Sequence, residues 1–437
     1  MEELLKMVHK VSDQAEVYAI EEKKSKVTFE NGKLKNIESS IQSGMSLRVI
    51  KGKKLGFVYT KNLIDREAFI RSATESFKAG AEGQIEFPST GNVHSLNTYD
   101  PSIESLTNMR IVEECRRLFD RLKGRSRGQI NIEAGSVTKR IRILNSRGTD
   151  LSSNISEYRI IPFTLYPGSF SALSRVFLGK SFEETPEEIL DHILNLFSAS
   201  EKEVKIKAKK MKVLFLPETM YVLIWRLKSA TSGRSLYHHE SPLSEKIGEK
   251  IFHEKLTIFD DPLNDRSPGA RAFDDEGIPC RFLPLVKKGV LKNVYYDLCY
   301  AKKLKAEPTG HGYKTDMWET ETISIRPRPA LRHVVIETGD LTLSKMIESI
   351  DHGIIVGQAL GAHSGNIANG DYSIGLSPGL CVENGEIVGH VKDTMVSGNV
   401  YETLRNVISI ESTTHHAPCG RFPALLVDDV MVSTKKV

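Results

Sequence analysis

FDDEGIPCRFLPLVKKGVLKNVYYDLCYAKKLKAEPTGHG, from Phe273 to Gly312, is the stretch from which the rest of the chain is read. Asp274, Asp275 and Glu276 stand before Gly277, and Pro279 follows. Carboxylates cap nearby backbone amides and Gly supplies positive φ, so this opening predicts an acidic turn. Phe282, Leu283, Leu285 and Val286 are answered across Lys288-Gly289 by Val290, Leu291, Val294 and Tyr295, which predicts a β-hairpin. A short helical piece and a glycine-histidine loop close the segment.

The order of these parts resembles the signature region of the TldD/PmbA family. It has DDEG-x-P at Asp274–Pro279, the hairpin at Gly289–Lys292, Tyr-Ala-Lys-Lys-Leu at Tyr300–Leu304, and TGH at Thr309–His311. The family is also known as modulators of DNA gyrase and as TldD/TldE metallopeptidases. The resemblance runs through nearly the whole chain and is strongest from Phe215 to Val432.

The chain has 437 residues, enough for two or three domains. Its 40% hydrophobic and 27% charged residues are ordinary for a soluble globular protein. Sixty basic against 56 acidic residues leave a net charge of +4, too balanced to indicate direct nucleic-acid or membrane binding. Five cysteines without a CxxC pair fit a reducing compartment. The first twenty residues lack a signal peptide's apolar core, and no apolar run of about 18 residues occurs. A cytoplasmic location is expected.

Periodicity predicts an α+β fold. Leu4, Leu5, Val8 and Val11 mark a first helix. Asn31-Gly32 marks a hairpin and Lys51–Lys54 a turn. Ile111, Cys115, Leu118 and Leu122 form one helical stripe. Residues 130–137 and 139–145 read as two strands joined by a turn. Residues 1–205 are expected to form a domain with an antiparallel sheet and helices on one side. The charged segment Glu201–Lys210 marks the change to a β-rich domain of antiparallel sheets, residues 206–437. There Asn384-Gly385 is a second strong hairpin signal.

The resemblance also implies where chemistry should sit. In the TldD branch, an HExxxH motif on the helix before the DDEG region holds zinc, its Glu is the general base, and a late Cys completes the site. Aligned on the tail Ser232, Gly233 and Tyr237, this chain has Trp225 and Ala230 at the histidine positions and Arg226 at the Glu position. Indole and methyl groups do not ligate zinc, and guanidinium is neither base nor ligand. The resemblance therefore implies the PmbA/TldE branch, without a zinc site of its own.

Cys419 falls where the late Cys falls, with His415 and His416 ahead of it as alternative ligands. Asp274, Asp275 and His311 are further cleft candidates beside Arg226, with turn capping and loop shaping as the competing readings. The glycine-rich run Gly353–Gly379 reads either as tight β connections or as a peptide cleft served by strand addition. Gly375-Leu376-Ser377-Pro378-Gly379 matches GxSxG, but Pro378 lacks the amide an oxyanion hole needs.

Three functions follow. The first is a PmbA/TldE-like subunit that helps form a peptide-processing chamber while a TldD-like partner supplies zinc. The second is a peptidase active alone through a non-standard metal site. The third is a protein-binding modulator. The expected partners are a TldD-like subunit or a second copy of this chain, and a peptide or unfolded protein.

Overall fold

The computed structural model describes residues 1–79, 84–315, 321–418 and 420–434. The N-terminal half is one seven-stranded antiparallel sheet. Its strands are β1 (Gln14–Glu30), β2 (Lys33–Lys51), β3 (Lys54–Thr60), β4 (Gln129–Asn145), β5 (Asp150–Leu165), β6 (Ala172–Ser174) and β7 (Phe177–Gly179). The order is β3-β2-β1-β4-β5-β6, with β7 also on β5. Asn31 and Gly32 both have positive φ and turn β1 into β2.

The helices are α1 (Glu2–Val8), α2 (Arg66–Glu75), α3 (Asn108–Lys123) and α4 (Glu187–Ala199). Successive strand residues point to opposite faces. Val17, Val27 and Phe29 are buried with residues of α1, α2 and α3. Tyr18, on the other face, is buried with Ile141, Ile143 and Phe273. The predicted stripe Ile111, Cys115, Leu118 and Leu122 is the buried face of α3.

β4 corrects the expectation of two strands with a turn. It runs unbroken because Val137, Thr138 and Lys139 are paired with β1 on one side and β5 on the other. Within it Gly135 serves close approach, since a Cβ there would lie 2.2 Å from the Ser25 carbonyl oxygen on β1.

The C-terminal half begins with β8 (Lys209–Phe215), α5 (Tyr221–Ala230) and α6 (Gly233–Tyr237). There follow β9 (Ile258–Asp260), β10 (Leu283–Lys287), β11 (Val290–Leu291), α7 (Leu298–Leu304), β12 (Gly312–Tyr313), β13 (Arg328–Pro329) and β14 (Val334–Ile336). The chain continues as α8 (Leu343–Glu348), β15 (His352–Val356), β16 (Ala359–Leu360), β17 (Asp371–Leu376), β18 (Gly379–Glu383), β19 (Glu386–Val391) and β20 (Thr394–Asn399). It ends with α9 (Val400–Thr403), β21 (Val407–Ile410), β22 (His415–Ala417), β23 (Gly420–Phe422) and β24 (Leu425–Thr434).

A nine-stranded sheet carries β8 between β24 and β15, and a six-stranded sheet runs β11-β10-β9-β14-β23-β22. The fold is α+β and mostly antiparallel. It departs from the all-antiparallel expectation at two parallel pairings, β8 with β15 and β14 with β23. GxSxG spans the connection from β17 to β18, two strands of one sheet that do not pair with each other, and is not a strand-to-helix elbow. Among the described residues, no helix is long and apolar enough to cross a membrane.

Candidate functional site

α5 buries Val222, Leu223, Ile224, Leu227 and Ala230 against the C-terminal core. Arg226 lies on the same helix and is 0% exposed. Its Nε donates to the Asp371 carbonyl at 2.6 Å. Nη1 donates to the Val222 carbonyl at 2.8 Å. Nη2 donates to the carbonyls of Ala362 at 3.0 Å and Ser364 at 2.8 Å. Its guanidinium carbon lies 5.8 Å from the centre of the Tyr372 ring. The glycine-rich loop, with Gly361, Gly365 and Gly370 at positive φ, thus folds over a buried cation. Zinc does not fit here. Trp225, Arg226 and Ala230 offer no donor, and the guanidinium already takes the carbonyl dipoles.

The DDEG turn is buried between the two halves. Asp274 accepts from the amides of Glu276 and Ile278, each at 2.9 Å, and of Gly312 at 2.8 Å. Burial, followed by the Glu276 charge, pushes its carboxyl well above the usual range. Asp275 accepts from Arg271 Nη2 and from the Lys314 amide, both at 2.8 Å. Burial raises its pKa, but Arg271 and these bonds outweigh it and the net direction is down. Glu276 meets Arg48 of β2 at 2.8 Å and accepts from the Leu298 amide at 2.7 Å. Asp274 therefore caps its own turn, and the acidic run joins the halves rather than lining a mouth.

His311 is fully buried. Its Nε2 lies 3.2 Å from Asp260 Oδ2 and its Nδ1 2.9 Å from the Thr309 hydroxyl. Asp260 is pushed up by burial, but His311 and then His333 bring it below its ordinary value. Gly312 links Asp274, Asp275 and His311: its amide reaches Asp274 and its carbonyl accepts from the Asp275 amide at 2.9 Å. The glycine approach is to the protein's own backbone, since a Cβ on Gly310 would lie 2.4 Å from the Pro279 carbonyl oxygen.

His415 and His416 open β22, while Cys419 lies outside the described residues. His415 is half-buried at the seam of the two halves. Its Nε2 lies 3.2 Å from Glu411 Oε1, and its Nδ1 3.4 Å from Arg175 Nη1. Arg175 donates from Nε to Glu218 at 2.6 Å. Both His415 nitrogens are engaged and one faces a guanidinium, a poor setting for a dication. Burial, with Arg421 and His415 nearby, pulls His416 down to about 4. Among the described residues, no group of three or more His, Cys, Asp or Glu is placed to hold a metal.

Sequence reasoning missed Arg175, Glu218, Asp260 and Glu411. Arg175, Glu218 and Asp260 gain their partners across 43 or more positions, and Glu411 meets His415 four positions on but outside any helix, so no local pattern points to them. It also missed a cavity of about 310 Å³ between the loop Val93–Tyr99, Ser152–Asn154 of β5, and Ala272-Phe273.

Residues 208–434 match the model of the PmbA/TldA metallopeptidase C-terminal domain, and residues 15–79 match PmbA/TldA metallopeptidase domain 1. A metalloprotease of Methanothermobacter thermautotrophicus is 25% identical over 424 residues, 91% of this chain and 88% of that protein. Crystalline TldE from Thermococcus kodakarensis has a TM-score of 0.90 at 22% identity, over 99% of each chain. A proposed modulator of a DNA gyrase from Thermotoga maritima has a TM-score of 0.85 at 21% identity, over 99% of this chain and 100% of that one. These two structural likenesses speak to the fold alone.

Proposed function

The chain belongs to the PmbA/TldA metallopeptidase family, and from that membership we propose that it is a subunit of the PmbA/TldE type, without zinc of its own. It pairs with a TldD-type partner, which supplies the metal and the water-activating group. This chain contributes wall and peptide-holding surface to a common chamber in the cytoplasm.

One observation carries the reading: Arg226, at the position of the family's general base, is held by four backbone carbonyls. A base must be able to take a proton, and a guanidinium stays charged. Its role here is to fix the glycine-rich loop.

The test is elemental analysis and a peptidase assay on the purified chain, alone and mixed with a TldD-type partner. Little zinc and little cleavage are expected alone, with activity in the mixture. Stoichiometric zinc and peptide cleavage by the chain alone would overturn the proposal.

A further inference from the structure

We propose that the open edge of β5 at Ser152–Asn154 is a docking slot for an extended peptide segment with small polar side chains. The strand's own hydrogen bonding fixes the direction of its edge groups. The Ser156 amide donates outward to the Thr98 carbonyl at 3.0 Å, and the Asn154 carbonyl accepts from Thr98 Oγ1 at 2.5 Å. In an antiparallel ladder, alternate residues face the same neighbour. Ser152, Asn154 and Ser156 therefore turn their backbone groups away from β4, which pairs with β5 through all three.

Further along the same edge, Tyr158–Ile160 are covered by β7. Thr98 covers Asn154–Ser156. Beyond Thr98 the loop leaves the edge, held off by the Asn97 amide on Asp265 at 2.8 Å and by Lys180 on the Asn97 carbonyl at 2.8 Å. The cavity of about 310 Å³ opens at this point. Among the described residues, the Ser152 amide and carbonyl and the Asn154 amide have no partner on the cavity side.

An added strand would pair with both groups of Ser152 and the amide of Asn154, continuing what Thr98 and β7 already do on this edge. The volume lies at the small end of ligand sites and suits a few residues. Its lining carries Ser95, Asn97, Ser152, Ser153 and Asn154 and is more polar than apolar, so small polar side chains are favoured over large apolar ones.

The substrate class rests on the peptide-handling reading above. The measurement does not, since it uses the purified chain without partner or zinc. The probe is fluorescein-labelled Gly-Ser-Thr-Ser-Gly, read by anisotropy. Saturable binding is expected, weakened at least tenfold by Asn154→Pro and by N-methylation of alternate probe amides. Proline is tolerated on a free edge because only the outward amide is lost. Should Asn154→Pro fail to fold, Ser95→Trp, which fills the slot and leaves the strand intact, gives the same expected loss. No saturable binding, or binding unchanged by N-methylation or by Ser95→Trp, would overturn the slot while leaving the partner and zinc proposal standing.

Discussion

Arg48 and Glu276 stand 228 positions apart in the chain, yet Arg48 Nη1 lies 2.8 Å from Glu276 Oε1 and both side chains are shut off from solvent. The same guanidinium holds Glu16 through Nε and Nη2 at 2.9 and 3.0 Å. One cation on β2 thus joins the first sheet to the DDEG turn. Removing it leaves two buried carboxylates, so Arg48→Ala should cost about 3–5 kcal/mol in urea unfolding. Arg48→Lys should recover only a small part, because an ammonium lacks the planar fork that reaches both acids. A loss below about 1 kcal/mol for Arg48→Ala would show that the network does not join the halves.

Arg226→Met and Arg226→Glu should separate by sign of charge. Methionine fills the space but takes the guanidinium away from the carbonyls of Asp371, Ala362 and Ser364. Glutamate sets an anion against them. We expect both to lose stability, Glu more than Met, each by at least about 2 kcal/mol. Hydrogen exchange should rise first in residues 361–371. Unchanged protection of that loop would dissociate it from Arg226.

The sequence was legible where structure is local. Asn31-Gly32, Lys288-Gly289 and Asn384-Gly385 all turn with two residues at positive φ, a geometry those dipeptides favour. The α3 stripe was readable because its period is helical. β9 and β14 were not, being three residues each and too short for any period. β4 was broken in the reading between residues 137 and 139, where the ladder to β1 and β5 in fact continues without a turn. Of the site, Arg226 was located by alignment. Its four carbonyl partners were not, since carbonyls leave no trace in sequence.

Two buried groups beside the DDEG turn should oppose each other in pH dependence. Burial, with Arg48 nearby, pulls Lys314 from 10.5 down to about 7. A depressed pKa contributes stability that is full above the unfolded value and lost as pH falls through about 7. Burial and the Glu276 charge push Asp297 from 3.8 up to about 8. A raised pKa contributes stability that is full below the unfolded value and lost as pH rises through about 8. Stability should therefore dip between about pH 7 and 8 on account of this pair. Asp297→Asn keeps an N-cap for α7, where Asp297 now accepts from the Tyr300 amide at 2.7 Å. It should remove the decline on the acid side in urea midpoints taken from pH 5 to 9. A decline that survives in Asp297→Asn would assign it to another group.

Gly310→Ala tests whether the TGH loop is shaped for a ligand or for its own chain. Gly310 has φ +76, where an L side chain costs roughly 1–2 kcal/mol. Its added Cβ would also meet the Pro279 carbonyl oxygen at 2.4 Å and Cys280 Cα at 2.8 Å, both backbone atoms that cannot swing aside. Overpacking of that kind costs a further 1–3 kcal/mol or about that. Gly52 is the control: its φ is +59, and nothing lies within 4 Å of a Cβ there. Gly52→Ala should lose only the backbone part. If Gly310→Ala costs clearly more than Gly52→Ala in urea unfolding, the loop is packed on the residues after the DDEG turn, with His311 held inward against Asp260. Equal losses would mean that the loop moves away from Pro279 freely, and that His311 is available to a ligand after all.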